Sequence, residues 1–225
     1  MILNDDFTAL IAVKGNSERI KKKNIRPFAS STLLEIKLDQ LKKNNLFKNI
    51  LVSSESDAVL KKCKKFNVKL HKRDSYYSTP HVPMSEVYKY LAKKIKTNYI
   101  AWIPVTSPLV DNKIYKKAIN TFKKMDKKNF DSLLSVHEIQ EYLYYKKKPL
   151  NFKRVPHMRS QDLKKLYAVN FAINIITREN MIKYKTTIGQ KPKFFIIPKN
   201  LSIDIDEKQD FEFAELLYNI KKGKK

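Results

Sequence analysis

The stretch "TALIAVKGNSERIKKKNI", residues 8–25, decides the fold class of this chain. Its first part, residues 8–14, is a continuous apolar run that ends in Lys14, as expected of a β-strand buried on both faces. Gly15 follows directly, although the chain has only three glycines, and a basic loop leads from it to Asn24. Such a loop can present backbone N–H groups and ammonium groups to a phosphate chain. A second interpretation stays open at this point, a solvent-exposed lysine-rich turn.

Beyond this stretch, apolar segments with strand character alternate with segments of helical spacing. The predicted strands are residues 49–54, 68–73, 98–105, 132–138, 166–177 and 193–198, and the predicted helices are residues 31–44, 56–66, 84–95, 112–125 and 211–222. This alternation predicts a single α/β domain over residues 1–225, with a largely parallel sheet and helices on both faces. Residues 139–165 are basic, aromatic and poorly periodic, and we interpret them as a hairpin-like excursion used in dimerisation.

The basic composition narrows the classes of partner. The formal net charge is +25, but only six of the 47 basic residues are arginines. Proteins that read nucleic acids favour arginine for bidentate contacts, so the scarcity of arginine disfavours nucleic acid as a partner. The positive electrostatic field of such a chain also suits the attraction of a small polyanionic ligand. A basic nucleic-acid-binding protein remains the alternative from another function class.

Cysteine content and hydropathy indicate the compartment. Cys63 is the only cysteine, which excludes a disulfide within the chain, and its helical surroundings predict a small core residue. Residues 1–7 lack the basic-then-apolar order of a signal peptide, and no apolar run approaches the roughly 20 residues that span a bilayer. We therefore expect a cytoplasmic protein without a membrane-spanning segment.

Ligands of parallel α/β sheets bind beyond the carboxyl ends of the strands, near the switch in strand order. Two acidic residues lie at such a position, because Asp204 and Asp206 follow the last predicted strand in an extended segment. At a spacing of two, both carboxylates point to the same side and repel each other unless a cation lies between them. Mg²⁺ bridging to substrate phosphates is the predicted cation. The alternative is that Asp206 caps the closing helix.

A sharp turn follows the most apolar predicted strand. Thr106 and Ser107 come just before Pro108, where their hydroxyl groups can donate hydrogen bonds to a ligand. An ordinary turn stabilised by its own serine and threonine side chains is an equally good interpretation.

These segments together resemble the acylneuraminate cytidylyltransferase family, which comprises the synthetases of CMP-sialic acid and of related CMP-nonulosonic acids. Residues 13–27 are similar to the family's A-R-x-x-S-K-G-x-x-x-K-N pattern and the I-R-P segment that follows it. "VSSES" (52–56) resembles its V-S-T-D, and "TSPL" (106–109) resembles its Q-x-T-S-P-L. "SIDIDEKQDFEFAE" (202–215) is similar to its I-D-I-D-x-x-x-D-F-x-x-A-E. The resemblance spans residues 8–217.

The resemblance implies a Rossmann-like nucleotidyltransferase domain that forms a homodimer. It also implies a Mg²⁺-dependent reaction of CTP with an acidic sugar of the sialic or nonulosonic type, giving the CMP-sugar and pyrophosphate. Lys14, Lys23 and Asp206 would be catalytic, and Asp204 and Asp206 would hold the metal.

Further roles follow by position in the resembled family. The nucleotide would be bound by Lys14, Gly15, Asn16, Ser17, Lys23, Asn24, Arg73 and Ser85. The sugar would be bound by Pro104, Thr106, Ser107, Arg159 and Asn170, of which the last two belong to weaker matches at "RSQDL" (159–163) and "VNFAINI" (169–175).

The departures from the family pattern concern the loop and the sugar side. Glu18 stands where a lysine is usual, and Arg19 replaces a glycine. On the sugar side, Pro104 replaces a glutamine, while Phe171 and Asn174 replace a glycine and a tyrosine. The nucleotide and metal features are kept and the sugar features are not. The sequence therefore predicts CTP as co-substrate and leaves the acceptor open, whether a sialic or nonulosonic acid or another acidic or phosphonate compound. A pseudoenzyme of this fold is a further alternative.

Overall fold

The computed structural model describes residues 6–223, with the backbone alone at Asn44. Residues 1–5, 224 and 225, which belong to the predicted domain, lie outside the described residues. The strands are β1 (Phe7–Ala12), β2 (Pro27–Phe28), β3 (Ser31–Thr32), β4 (Asn49–Ser54), β5 (Lys69–Lys72), β6 (Tyr99–Trp102), β7 (Ser132–Ile139), β8 (Tyr144–Tyr145), β9 (Lys148–Pro149), β10 (Leu166–Thr177) and β11 (Pro192–Ile196). The helices are α1 (Leu33–Lys42), α2 (Asp57–Cys63), α3 (Met84–Lys93), α4 (Asn112–Lys124), α5 (Arg178–Tyr184) and α6 (Lys208–Gly223).

Seven strands form one sheet in the order β11-β7-β10-β6-β1-β4-β5. β1 pairs in parallel with both β4 and β6, whereas β10 is antiparallel to β6 and β7. The prediction of a largely parallel sheet is confirmed, with β10 as the one reversed strand among these seven. The chain runs outward from β1 to β5 and then returns to place β6 on the other side of β1. This switch in strand order opens a crevice beyond the carboxyl ends of β1 and β6.

Helices cover both faces of the sheet, as predicted, because successive side chains of a strand point to opposite faces. In β1, Phe7, Ala9 and Ile11 join a core cluster that contains the buried residues of α1, α2, α4 and α6. Leu10 points the other way and joins the cluster formed by α3 and α5. Cys63 is fully buried in the first cluster, which confirms its predicted core position.

Local signals account for most helix ends. Thr32 caps α1, since its hydroxyl oxygen accepts a hydrogen bond from the Glu35 N–H at 3.2 Å and donates one to the Glu35 carboxylate at 2.7 Å. Asp111 caps α4 in the same position. No helix in residues 6–223 is long and apolar enough to cross a membrane.

The segment between β7 and β10 forms the predicted hairpin-like excursion. β8 and β9 pair as a short antiparallel hairpin. Asn151 is fully buried and ties the excursion together, because its side chain donates to the Glu141 carbonyl and accepts from the Leu143 N–H. Its outer surface is mixed, with the apolar side chains of Tyr144, Tyr145 and Leu150 exposed beside the basic segment 146–148.

Many turns place side-chain-bearing residues where glycine is favoured. Eight non-glycine residues have positive φ angles, and none of the glycines within residues 6–223 does. These residues are Lys22, Ala29, Asn45, Asn67, Lys146, Lys147, Phe171 and Lys185. Tight left-handed turns in this chain are therefore made by ordinary residues, four of them lysines.

A buried lysine connects α1 to the loop that follows β6. Lys37 is fully buried, and its ammonium group donates to the Ser107 carbonyl at 2.8 Å and to the Val110 carbonyl at 3.4 Å. It also contacts the hydroxyl group and ring of Tyr115. Burial lowers the pKa of Lys37 to about 7, an effect that the nearby Asp111 carboxylate opposes. The lysine fixes the turn at residues 107–110.

We expect the stability of the protein to rise with pH above 7 because of Lys37. Between pH 7 and 8.5 the folded state increasingly holds this side chain neutral, whereas the unfolded chain keeps it protonated. The unfolded state then binds more protons, so the free energy of unfolding increases, by about 1.5 kcal/mol over this range. Urea unfolding at several pH values should show this increase in the natural chain and its loss in Lys37→Met.

Lys116→Met, which removes an exposed lysine of α4, is the matched control and should retain the full slope. Lys127 also has a pKa lowered by burial, to about 8, and contributes equally to all three proteins. Equal slopes in Lys37→Met and the control would contradict the assignment to Lys37.

Candidate functional site

A cleft of about 320 Å³ lies at the carboxyl ends of β1 and β6. It is lined by Ala12, Lys14, Asn16, Ser17, Glu18, Arg19, Ile20, Lys23, Asn24, Pro104, Val105, Thr106 and Asp206. The first loop, the segment after β6 and the segment before α6 thus meet in one place. Lys21 and Lys22 are exposed and do not line the cleft, so the loop directs two of its lysines inward, Lys14 and Lys23.

The start of the loop is held from behind by a buried ion pair. The Arg73 guanidinium donates to the Val13 carbonyl and to the Glu55 carboxylate, both at 2.9 Å. The other oxygen of Glu55 accepts a hydrogen bond from the Gly15 N–H at 2.6 Å. Burial tends to raise the pKa of Glu55, but the hydrogen bonds from Gly15 and Arg73 together hold it below its usual value. Glu55 therefore stays ionised and fixes the backbone at Gly15.

Gly15 is required by close packing rather than by a left-handed backbone. A Cβ atom at this position would lie 2.3 Å from the Ser56 Cβ and 2.6 Å from the Ser56 hydroxyl oxygen. Real Cβ atoms essentially never come this close. Only glycine lets the loop pass against the turn between β4 and α2.

The end of the loop is fixed by two polar side chains. Asn24 is buried, and its amide donates to the Lys14 carbonyl at 2.9 Å, which closes the loop on itself. The Lys23 ammonium group donates to the Ile205 carbonyl and lies 3.7 Å from an oxygen of Asp206. Lys23 therefore connects the first loop to the segment before α6.

The two aspartates flank a residue of the core. Ile205 is fully buried, and its N–H donates to the Thr106 carbonyl at 2.9 Å. Asp204 and Asp206 project from the same segment toward solvent, and the Asp204 carboxylate accepts a hydrogen bond from the Thr106 hydroxyl. The surrounding protein partly removes water from the Asp204 carboxyl group, and this desolvation raises its pKa. The negative charges of Asp206 and Asp210 raise it further by smaller amounts, while the hydrogen bond from Thr106 and the charge of Lys23 lower it.

At the start of α6 it is the side chain of Asp210, and not that of Asp206, that accepts hydrogen bonds from the backbone. The Asp210 carboxylate accepts hydrogen bonds from the N–H groups of Asp206 and Glu207, at 3.0 and 2.8 Å, just before α6 begins. The side chain of Asp206 faces the cleft instead and forms an ion pair with Arg19, whose Nη2 lies 2.7 Å from Oδ1.

The donor chemistry of this segment fits a magnesium ion. Mg²⁺ binds oxygen ligands and commonly uses one or two carboxylates together with substrate phosphates and water. Asp204 and Asp206 supply two carboxylates beside the cleft. Within residues 6–223, no group of three or more histidine, cysteine or acidic side chains is placed to hold a metal.

Seven residues predicted for the site do not line the cleft, and two of them, Gly15 and Asp204, have been described above. Arg73 lies behind the loop, and Ser85 lies in the first turn of α3. Ser107 is fully buried, and its hydroxyl makes no hydrogen bond with any described residue. Arg159 is exposed on the excursion and forms a bidentate pair with Asp162. Asn170 is buried at the irregularity of β10.

The irregularity of β10 carries the largest departure from the resembled family. The pairing of β10 with β7 shifts register between Val169 and Asn174. Within this interval Phe171 has a φ angle of 52°, in the left-handed region that favours glycine, and its side chain is exposed. The amide nitrogen of the neighbouring Asn170 is buried without a hydrogen bond to any described residue.

Comparison with a family model decides the family. Residues 8–223 match the model described as cytidylyltransferase, which is nearly the whole chain. The chain belongs to the cytidylyltransferase family. It is therefore a nucleotidyltransferase, and the resemblance to the acylneuraminate cytidylyltransferases is confirmed.

Individual cytidylyltransferases show the same relationship. The chain is 25% identical over 226 residues to the pseudaminic acid cytidylyltransferase of Campylobacter jejuni, covering 94% of this chain and 95% of the relative. It is also 25% identical over 231 residues to the CMP-N,N'-diacetyllegionaminic acid synthase of the same species, covering 96% of each.

Solved structures of cytidylyltransferases share the fold. A CMP:2-keto-3-deoxy-manno-octonic acid synthetase complexed with CTP superposes with a TM-score of 0.70 at 10% identity, covering 96% of this chain and 99% of that one. This likeness confirms the Rossmann-like nucleotidyltransferase fold.

The sequence did not identify Glu55, which fixes the first loop of this cytidylyltransferase, or Lys37, which fixes the turn after β6. Glu55 follows β4 directly, within a segment that the parallel-sheet rule marks as facing ligands. Its partner Arg73 follows the next strand, and nothing local in the sequence pairs them. Lys37 was detectable in principle, because it shares the apolar face of α1 with Leu34, Leu38 and Leu41.

We expect Gly15→Ala to weaken CTP binding at least tenfold, because the added Cβ displaces the loop from Ser56 and moves the Gly15 N–H away from Glu55. Isothermal titration calorimetry with CTP measures the effect. Gly223→Ala is the control, since a Cβ there meets no atom within 4 Å.

Ser56→Gly in the Gly15→Ala background removes the colliding atoms and should restore part of the lost affinity. Normal CTP affinity in Gly15→Ala would show that close packing at Ser56 does not position the loop.

Proposed function

We propose that this cytidylyltransferase transfers CMP from CTP to an acidic sugar of the nonulosonic type, with release of pyrophosphate. One observation supports the proposal above all. Lys14 and Lys23, from the first loop, line the same cleft as Asp206, although 183 residues separate Lys23 from Asp206 in the chain. The cleft therefore combines cations for a triphosphate with a carboxylate for a metal or a proton.

In this proposal the first loop binds the triphosphate. The ammonium groups of Lys14 and Lys23 neutralise the phosphate oxygens, while Asn16, Ser17 and the backbone of Gly15 add hydrogen bonds. Asn24, at the cleft, and Arg73, behind the loop, act through the Lys14 and Val13 carbonyls that they bind. They are positioning residues in this proposal rather than direct contacts of the nucleotide.

Asp204 and Asp206 would hold a magnesium ion. When bound, Mg²⁺ neutralises charge on the transferring phosphoryl group. The Thr106 hydroxyl orients Asp204 through its hydrogen bond, and the buried Ile205 fixes the spacing of the two carboxylates.

The reaction is an in-line displacement at phosphorus. A hydroxyl oxygen of the sugar forms a bond to the α-phosphorus while the bond to the pyrophosphate oxygen breaks. The hydroxyl proton must leave, and of the two carboxylates that line the cleft, Glu18 and Asp206, we assign its acceptance to Asp206. Lys23, close to the same carboxylate, stabilises the negative charge that leaves with pyrophosphate.

The relatives support a nonulosonic acid as the acceptor. Those compared above are named for pseudaminic acid and for N,N'-diacetyllegionaminic acid. On the sugar side, however, Pro104 and Phe171 depart from the resembled family, so the acceptor of this chain need not be sialic acid itself. We infer a cytoplasmic location from the use of CTP, and nucleic acid stays a predicted non-partner.

We expect CTP, but not ATP, GTP or UTP, to support pyrophosphate release with at least one acid among pseudaminic, legionaminic, N-acetylneuraminic and 2-keto-3-deoxy-manno-octonic acid. Asp206→Asn and Asp204→Asn should each lower the rate about 100-fold or more, because they remove a carboxylate that holds the metal. A coupled pyrophosphate assay measures both effects.

Glu212→Gln, which neutralises an exposed carboxylate on α6, should keep the full rate. Unchanged turnover in Asp206→Asn would contradict the assigned role. Absence of turnover with every acid of the panel would favour a different acceptor or a pseudoenzyme.

We further propose that two copies associate through the excursion between β7 and β10. Its exposed side chains include Tyr144, Tyr145, Leu150 and Val155, of which Val155 is 83% exposed. Exposed aromatic and aliphatic side chains of this kind are suited to contact with a protein partner. Sedimentation equilibrium should show a dimer that Tyr145→Glu weakens, whereas Leu216→Glu, at an exposed position of α6, should not. A monomeric natural chain would exclude the dimer.

A further inference from the structure

Arg19 occupies an unusual position for a residue of the phosphate-binding loop. Its guanidinium lies in the cleft and donates to Oδ1 of Asp206 at 2.7 Å. The Lys23 ammonium group lies 3.7 Å from the same oxygen. One carboxylate oxygen, in a segment suited to a divalent ion, is thus already approached by two protein cations.

A divalent ion and Arg19 compete for this oxygen. Direct coordination requires the carboxylate oxygen to face the ion, and a guanidinium donating to that oxygen would stand within a few ångströms of the metal. Like charges at that separation repel, so the arginine must leave when the metal binds. Arg19 can leave at little cost, since its side chain is 59% exposed.

The released guanidinium has a second anion within the same cleft. Arg19 lines the cleft with Lys14 and Lys23, which the proposed function places on the triphosphate. A planar guanidinium presents several N–H donors and suits phosphate oxygens as well as carboxylates.

We propose that Arg19 is a resident counter-cation of Asp206, which a divalent metal displaces and which then binds the triphosphate. The inference rests on the proposed function in that it assumes a metal at Asp206. It gives a role to the residue that stands where the resembled family has glycine. A glycine there can neither compete with the metal nor bind phosphate.

The size of the effect follows from the exposure of the pair. Exposed ion pairs are weak, so the competition should change metal affinity about two- to fivefold rather than prevent binding. The two consequences of removing Arg19 have opposite signs. The metal alone should bind more tightly, and CTP in the presence of the metal should bind more weakly.

The experiment measures the dissociation constant of Mn²⁺, as a paramagnetic probe in place of Mg²⁺, by electron paramagnetic resonance of the free ion in the absence of nucleotide. Arg19→Gln should bind Mn²⁺ about two- to fivefold more tightly than the natural chain. Arg19→Lys, which keeps the charge without the planar fork, should lie between them. Lys21→Gln removes the same charge from an exposed lysine of the loop outside the cleft and should leave Mn²⁺ affinity unchanged.

A second measurement follows CTP binding by calorimetry with saturating Mg²⁺ and no sugar. Arg19→Gln should weaken it about two- to fivefold relative to Lys21→Gln. Unchanged Mn²⁺ affinity in Arg19→Gln, or equal tightening in Lys21→Gln, would overturn the displacement. Unchanged CTP affinity would overturn the transfer to the triphosphate.

Asp206→Asn separates failure of this inference from failure of the proposed function. If this variant loses Mn²⁺ binding while Arg19→Gln gains none, the metal assignment holds and the role of Arg19 is wrong. If Asp206→Asn binds Mn²⁺ as the natural chain does, the metal assignment itself is wrong and the inference fails with it.

Discussion

The site depends on the two backbone hydrogen bonds of Ile205. Its N–H bonds to the Thr106 carbonyl after β6, its carbonyl accepts from Lys23 of the first loop, and its side chain is buried in the core. Three segments distant in the chain are thereby held at one point. The two hydrogen bonds of Ile205 join the segment that follows β6 to the loop that follows β1, which is the neighbour of β6 in the sheet. The alternation of buried and exposed residues at 204–206 then presents the two carboxylates outward.

Buried basic side chains support both loops of the cleft from behind. Arg73 binds the carbonyl of Val13 at the end of β1, and Lys37 binds the carbonyls of Ser107 and Val110 beyond β6. Strand ends leave carbonyl groups without partners in the sheet, and a buried carbonyl needs a hydrogen-bond donor. Long cationic side chains reach these carbonyls from neighbouring elements. The chain thus uses two of its many basic residues for structure rather than for the cleft.

The sequence predicted the parts of the structure that depend on local periodicity. Local sequence patterns predict which residues are buried in three segments. These are the apolar run of β1, the helical spacing of α1 and the spacing of Asp204 and Asp206. It missed α5 and the short pairing of β2 with β3, which are too brief to show a period, and it began α6 at residue 211 rather than Lys208. The partners of Glu55 and Lys37 lie across the fold, and no local pattern encodes such pairs. Chain order also could not show that Ser107 turns inward while Thr106 faces the cleft.

Because glycine is scarce in this chain, its left-handed turns affect the free energy of unfolding through strain in the folded state as well as through the entropy of the unfolded chain. Glycine makes left-handed turns without steric cost, but it increases the conformational entropy of the unfolded chain. Here eight side-chain-bearing residues adopt positive φ, and each such conformation costs on the order of 1 kcal/mol or more in the folded state. The unfolded ensemble is correspondingly less diverse, because few positions have the freedom of glycine. Part of the thermodynamic cost of these turns thus lies in strain of the folded state.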